Sequence, residues 1–155
     1  MKRLTKSCLL MILAVIAATI TLCSFSSAPG GEGFEVYKNN TLLFQQFGNN
    51  MKTVKMLSLN NIRSTDKLTI KYYHCGKTGK NRHIIVRGGN NAELKNWQYA
   101  NTTSRDEGMS FNPAEIVRNN NNTDKVNVYY TSEEMPKEKL LVILQLKGQQ
   151  TSTSK

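Results

Sequence analysis

The segment 72–83, YYHCGKTGKNRH, concentrates the residue types that can carry chemistry in this chain of 155 residues. It holds both histidines and one of the three cysteines, and imidazole and thiolate groups are ligands for transition metals. It also holds GKT, the last three residues of a phosphate-binding loop pattern. A third interpretation is that the segment is only the loop of a β-hairpin.

The metal interpretation rests on His74, Cys75 and His83. Zinc in proteins takes three or four ligands, and no Asp, Glu or further Cys lies close by in the sequence. A metal- or redox-responsive role for these three residues is therefore the alternative hypothesis and not the leading one.

The register of the predicted hairpin bears on the same question. Pairing the two histidines would set Ile70 against a charged side chain, whereas pairing Ile70 with Val86 gives the uniform apolar face that fixes a register. In that register His74 points to the opposite face from His83. Cys75 and His83 become diagonal neighbours about 7–8 Å apart.

The phosphate interpretation fails on spacing, because the first glycine of G-x-x-x-x-G-K-T would fall on Lys71 and no helical pattern follows. We therefore expect 76–81 to be a solvated basic loop with at most a weak attraction to an anionic polymer. The candidate ligand-binding residues are Lys77, Lys80, Arg82, Trp97 and Tyr99. Trp97 and Tyr99 could form an aromatic platform together with Tyr73 and Tyr129, although aromatic residues in strands more often belong to the core.

Enzymatic constellations are not predicted. Nucleophilic catalysis needs a base, and the only two histidines lie in this one segment. The acidic residues that could act in pairs are not placed on facing strands: Asp106, Glu115, Glu133, Glu134 and Glu138. We expect a non-enzymatic protein without a cofactor.

The N-terminal segment predicts export. Lys2, Arg3 and Lys6 precede an uncharged, mostly apolar run at 8–22, which suits a signal peptide and is shorter than the roughly twenty residues of a membrane-spanning helix. Small residues follow the run. We therefore predict a signal peptide at 1–26 and a periplasmic or secreted protein.

The rest of the chain is divided into a linker at 27–33, one domain at 34–148 and a disordered tail at 149–155. An alternative to cleavage is lipidation of Cys23, which would anchor the protein in the envelope. Membrane attachment is expected only in that case.

Loss of the signal peptide leaves about +7 of the formal charge of +10. The lysines are scattered, which is typical of a solvated β surface and argues against a specific nucleic-acid interface. Cys75 would be the only cysteine of the mature chain, so no internal disulfide is expected. We expect its thiol to be buried.

Alternating apolar residues and turn signals predict about eight strands. They lie within 34–47 (two strands), 53–59, 67–75, 82–88, 92–100, 125–132 and 140–147. Asn39 and Asn40 suit the tight turn of a hairpin, and Trp97 lies out of phase with Leu94, which predicts a bulge near Asn96. The expected fold is an all-β antiparallel sandwich of immunoglobulin-like architecture, which by itself carries no function.

One helix is expected at 113–118, with Asn112 as its N-cap, Pro113 in its first position and Glu115 in the capping-box position. The last strand is apolar on both faces, so we expect this helix, or a partner, to cover the second face.

A faint repeat aligns DKLTIKYY at 66–73 with DKVNVYYT at 124–131, which predicts that one strand–loop–strand unit is used twice. One copy in each sheet would satisfy the alignment.

The leading hypothesis is an exported, non-enzymatic β-sandwich protein of the bacterial cell envelope with a binding or scaffolding role. Its expected partner is an envelope protein or an anionic polymer. The sequence sets neither the ligand nor the oligomeric state.

We expect the exported protein to begin near Ser27, because cleavage there follows the small residues after the apolar run. Mass spectrometry of the N-terminal peptide checks this. A diacylglyceryl group on Cys23 would replace secretion with anchoring, and an intact Met1 would contradict both routes.

Overall fold

The computed structural model describes residues 31–77, 79–102, 104, 107–118 and 125–147, with the side chains of Arg118 and Lys147 excluded. They belong to one compact unit that starts at Gly31. The predicted signal peptide, Cys23 and the predicted tail lie outside the described residues. In the described part of the chain, no helix has the length and apolar character needed to cross a membrane.

Nine strands, one 3-10 helix and one α-helix make up the described fold. The strands are β1 (Gly33–Lys38), β2 (Thr41–Phe47), β3 (Lys55–Asn60), β4 (Leu68–Tyr73), β5 (Arg82–Arg87), β6 (Glu93–Tyr99), β7 (Met109–Phe111), β8 (Lys125–Thr131) and β9 (Lys139–Lys147). The 3-10 helix is Gly48–Lys52, and α1 is Ala114–Arg118. The all-β class is confirmed. The sequence pattern missed β7, because three residues are too few to show a period of two.

The strands form two sheets. The first has the order β2-β1-β4-β7, and the second has the order β3-β9-β8-β5-β6. Every neighbouring pair is antiparallel except β3 and β9, which run parallel. The second sheet is therefore mixed, and the expectation of a purely antiparallel fold is wrong at this edge.

The turn between β1 and β2 is as predicted. Asn39 and Asn40 have φ angles of 49° and 68°, in the left-handed region that such a two-residue turn requires. Lys38 pairs with Thr41 directly across the turn.

The predicted hairpin of β4 and β5 does not form. β4 pairs with β1 and β7 in the first sheet, whereas β5 pairs with β6 and β8 in the second. Ile70 and Val86 are both buried as expected, at 1% and 0% exposure. They come from opposite sheets, however. An apolar face specifies which side chains a strand buries and not which strand lies beside it, so the pattern did not determine the pairing.

One apolar core lies between the inner faces of the two sheets. At one place in it the rings of Tyr72 from β4 and Tyr130 from β8 stack, with centroids 4.3 Å apart and planes inclined by 15°. These two tyrosines are equivalent in the sequence repeat, but the repeated unit is not. The first copy crosses from one sheet to the other, and the second is a hairpin within the second sheet.

Two bulges adjust the second sheet. One lies at Leu94, where the pairing of β6 with β5 skips a residue, and this is two residues before the predicted position. The other lies at Leu141, which points its side chain into the core and leaves Leu140 and Ile143 half-buried.

α1 contributes Ile116 to the core between the sheets. It does not supply the predicted cover for Ile143.

The N-terminus of α1 is capped as predicted. The side-chain oxygen of Asn112 accepts a hydrogen bond of 2.8 Å from the N–H of Ala114. The carboxylate of Glu115 lies 3.9 Å from the ammonium nitrogen of Lys95 on β6.

A buried carboxylate fixes the β1–β2 turn against the loop before β4. Asp66 accepts hydrogen bonds from the Asn39 side chain (2.9 Å) and the Arg63 N–H (3.1 Å), and Lys38 Nζ lies 3.0 Å away. These partners lower the pKa of Asp66 to about 2. The carboxylate therefore stays charged at neutral pH and holds the two segments together.

We expect Ile70→Asp or Val86→Asp to lower the free energy of unfolding by at least about 3 kcal/mol, because each change places an unpaired charge in the core. His83→Ala, on the outer face, should cost about 1 kcal/mol or less. Chemical denaturation checks this, and similar losses for the three variants would show that the two apolar positions are not in the core.

Candidate functional site

The chemically rich segment lies on the connection that carries the chain from β4 in the first sheet to β5 in the second. It is not a freely solvated loop, because other loops hold its backbone. Gly79 exchanges two hydrogen bonds of 2.9 Å with Thr102, and the N–H of Lys80 donates to Glu134 Oε2 at 3.0 Å. Gly79 is buried, and a Cβ there would lie 2.8 Å from Arg82 Cδ.

His74 is half-buried at the end of β4. Its Nε2 lies 2.7 Å from the hydroxyl oxygen of Tyr130, and its ring lies 4.9 Å from that of Tyr72, centroid to centroid. Burial lowers the pKa of His74, although the carboxylates of Glu134 and Glu32 oppose the effect. The imidazole is therefore neutral at pH 7 and forms part of the wall of the core.

The hydroxyl of Tyr72 also has partners, since it donates a short hydrogen bond to Glu32 and lies 3.7 Å from Met135 Sδ. Burial raises the pKa of Glu32, but the Tyr72 hydroxyl and the Lys139 ammonium, 3.3 Å away, lower it below its usual value. Burial raises the pKa of Tyr130 to about 12 and that of Tyr72 further still. The phenols thus remain protonated, and their polar ends are satisfied.

The other two predicted metal ligands lie elsewhere. Cys75 is exposed, contrary to the prediction, with a φ of 51° in the turn after β4. His83 faces away from the core, where its ring nitrogens lie 2.9 Å from Asn96 Oδ1 and 3.1 Å from Asn81 Oδ1. The expected diagonal pair of Cys75 and His83 is wrong, because it required the β4–β5 hairpin. Across the described ranges, no three His, Cys, Asp or Glu side chains group as metal ligands.

Arg82 is 3% exposed, and its guanidinium binds the chain itself. Nε donates to the carbonyl of Ala100 at 2.8 Å and Nη1 to the carbonyl of Glu107 at 3.1 Å. The carboxylate of Glu107 lies 4.0 Å from Nη2. Arg82 therefore links β5 to two loops, and its burial limits the access of a dissolved ligand to the guanidinium.

Lys77 and Lys80 are exposed. Glu133 and Glu134 adjoin the backbone of Lys80, since the N–H of Glu133 donates to the Lys80 carbonyl at 2.9 Å and Glu134 Oε2 accepts from the Lys80 N–H. The Glu134 carboxylate therefore adds a negative charge at this end of the loop.

The predicted aromatic platform does not form. Trp97 packs on the core and stacks with Phe111 at 4.8 Å, while the Tyr99 hydroxyl donates to the carbonyl of Ser110 at 2.9 Å. Tyr73 and Tyr129 lie on the outer faces of different sheets, because their neighbours in β4 and β8 point into the core.

The structure instead shows a surface that the sequence reasoning did not single out, which we call the β2–β3 side and define as residues 41–60. The large apolar side chains exposed in the described chain all lie here: Leu42 (44%), Leu43 (37%), Val54 (38%) and Met56 (52%). The ammonium of Lys55 on β3 lies 5.3 Å from the ring of Phe44 on β2, so the two sheet edges adjoin. Two hydrogen bonds of 2.8 Å from Gln46 to the carbonyls of residues 50 and 53 fix the connection between them.

A signal for this surface was present in the sequence. Residues 41–60 contain two lysines and no acidic residue, in contrast to the mixed charges elsewhere. The alternation of apolar residues did not reveal it, because a period of two does not distinguish a central strand from an edge strand.

No protein-family model matches this chain, and no curated protein matches its sequence.

Arg82→Met should lower the free energy of unfolding by about 2 kcal/mol or more, because it removes the two hydrogen bonds that the buried guanidinium donates to the loops at Ala100 and Glu107. The same substitution at the exposed Lys77 should change it by about 0.5 kcal/mol or less. Urea unfolding of the two variants tests this. An equal free energy of unfolding for the two variants would show that the hydrogen bonds of Arg82 do not stabilise the fold. Arg82 would then again be a candidate ligand-binding residue.

Proposed function

We propose that this chain is an exported, non-enzymatic protein of the bacterial cell envelope that binds or scaffolds another protein through its β2–β3 side. Its architecture is an immunoglobulin-like β-sandwich. Export rests on the predicted signal peptide, and the architecture is supported by two sheets that share one core.

The β2–β3 side is the observation that carries this proposal. Four large apolar side chains are more than a third exposed within fifteen consecutive residues, 42–56. β2 and β3 are edge strands of the two sheets and adjoin each other. Exposed apolar side chains that are grouped in one part of a soluble protein support an interaction site there, so we assign the contact with a partner to this side.

The state of the reactive side chains supports a non-enzymatic role. His74, His83, Tyr72 and Arg82 each form hydrogen bonds within the protein. General bases and nucleophiles must reach a substrate atom, whereas these groups are used to complete the core and its loops.

We expect Leu42→Glu with Met56→Glu to reduce capture of envelope proteins by the immobilised protein about tenfold, because two carboxylates would have to be desolvated on binding. The protein is produced from the full-length sequence and purified after export. Quantitative mass spectrometry of proteins eluted from envelope extract measures the effect.

The matched control is Ala92→Glu with Ala100→Glu, which adds the same charge at exposed positions flanking β6, the opposite edge of the second sheet. It should bind as the unaltered protein does. An equal loss of capture in both double variants would mean that added negative charge weakens binding wherever it is placed. Unchanged capture by the variant with Leu42→Glu and Met56→Glu would exclude the β2–β3 side as the binding surface.

A further inference from the structure

Of the two histidines in the chain, only His74 packs against core side chains. Its ring lies 4.9 Å from that of Tyr72 and 5.5 Å from that of Tyr130, centroid to centroid. The third neighbour is the buried Gly79, where an added Cβ would lie 3.5 Å from His74 Cδ2. The imidazole therefore lies between β4, β8 and residues 74–81, which we call the β4–β5 connection.

Hydrogen bonds extend from His74 to the loop between β8 and β9, residues 132–138. The Tyr130 hydroxyl, 2.7 Å from His74 Nε2, also contacts the side chain of Ser132. Ser132 contacts the carboxylate of Glu134, which accepts a hydrogen bond of 3.0 Å from the N–H of Lys80. The network therefore joins the end of β4, the β8–β9 loop and the β4–β5 connection.

The charged groups that face His74 do not favour its protonated form. Glu134 and Glu32 carry negative charge, whereas Arg82 and Lys77 carry positive charge. Burial is the largest effect and lowers the pKa of His74, and the two carboxylates do not restore it. A charged imidazole would therefore lose water here without gaining a dominant partner.

Of these groups and the two phenols, the imidazole is the one whose charge changes between about pH 7.5 and about pH 5. Burial raises the pKa of Glu134, but hydrogen bonds from backbone N–H groups lower it below its usual value, and the pKa of Glu32 is also below its usual value. Both carboxylates therefore stay charged in this range. The phenols of Tyr72 and Tyr130 keep their protons, because burial raises their pKa. Acid therefore acts on this cluster through His74.

We propose that His74 is a pH-sensitive switch that holds the β4–β5 connection to the β8–β9 loop when neutral and releases it when protonated. A protonated imidazole recovers its water by turning away from Tyr130, which removes the 2.7 Å contact on which the network depends. The stabilising contact is complete above the pKa of an unfolded histidine, about 6.5, and is lost as the pH falls through the lower pKa that His74 has in the folded protein. This inference is independent of the partner that binds the β2–β3 side.

Hydrogen exchange of the exported protein, produced from the full-length sequence, measures the switch at two backbone amides. The N–H groups of Gly79 and Lys80 donate to Thr102 and Glu134 across the junction. We expect their protection factors, which compare each amide with an unstructured peptide at the same pH, to fall severalfold between about pH 7.5 and about pH 5. The amides of β5, which pairs with a strand on each side, should keep their protection.

His74→Gln removes the titration and keeps a polar side chain. The protection of the two amides should then not change with pH over this range. The matched control is His83→Gln, the same change at the histidine on the outer face of the second sheet. It should lose protection in acid as the unaltered protein does. Circular dichroism checks that both variants are folded.

A second measurement needs no variant. NMR titration of the His74 ring protons gives its pKa in the folded protein, which we expect to lie below 6.5 and to match the midpoint at which the two amides lose protection. A His74 that titrates at or above 6.5 overturns the switch, as do amides that keep their protection in acid or lose it equally in His74→Gln. None of these results bears on the β2–β3 side, which the capture experiment tests separately.

Discussion

The fold depends on burying one face of each sheet against the other. The stacked rings of Tyr72 and Tyr130 lie at this contact, one from each sheet. Buried phenols contribute large apolar area, but each hydroxyl must find a hydrogen-bond partner. Glu32 and His74 provide those partners. The burial of the two tyrosines therefore fixes the position of His74 and of the start of the segment 72–83.

This constraint explains why two of the candidate residues, His74 and Arg82, bind other parts of the protein itself. His74 contacts the hydroxyl of the buried Tyr130 and is held neutral by burial. Arg82 is itself buried and donates hydrogen bonds to the carbonyls of two loops. A hairpin of β4 and β5 would have made Cys75 and His83 diagonal neighbours. The crossing of the chain from one sheet to the other separates them.

The binding role that we propose is assigned to the edges of the sheets. Closing two open sheets on each other leaves four edge strands, and the chain protects them unequally. The β2–β3 side combines exposed apolar side chains with an uncharged strand. This combination supports the binding role that we propose for it.

The sequence alone determined the local features: the left-handed turn at Asn39 and Asn40, the cap at Asn112, and the burial of Ile70 and Val86. Each depends on a few adjacent residues or on a period of two. Only the tertiary structure decided that β4 and β5 belong to different sheets, that Cys75 is exposed and that β2 is an edge. The physical reason is that alternation specifies which face a strand buries, while pairing depends on contacts between residues far apart in the chain.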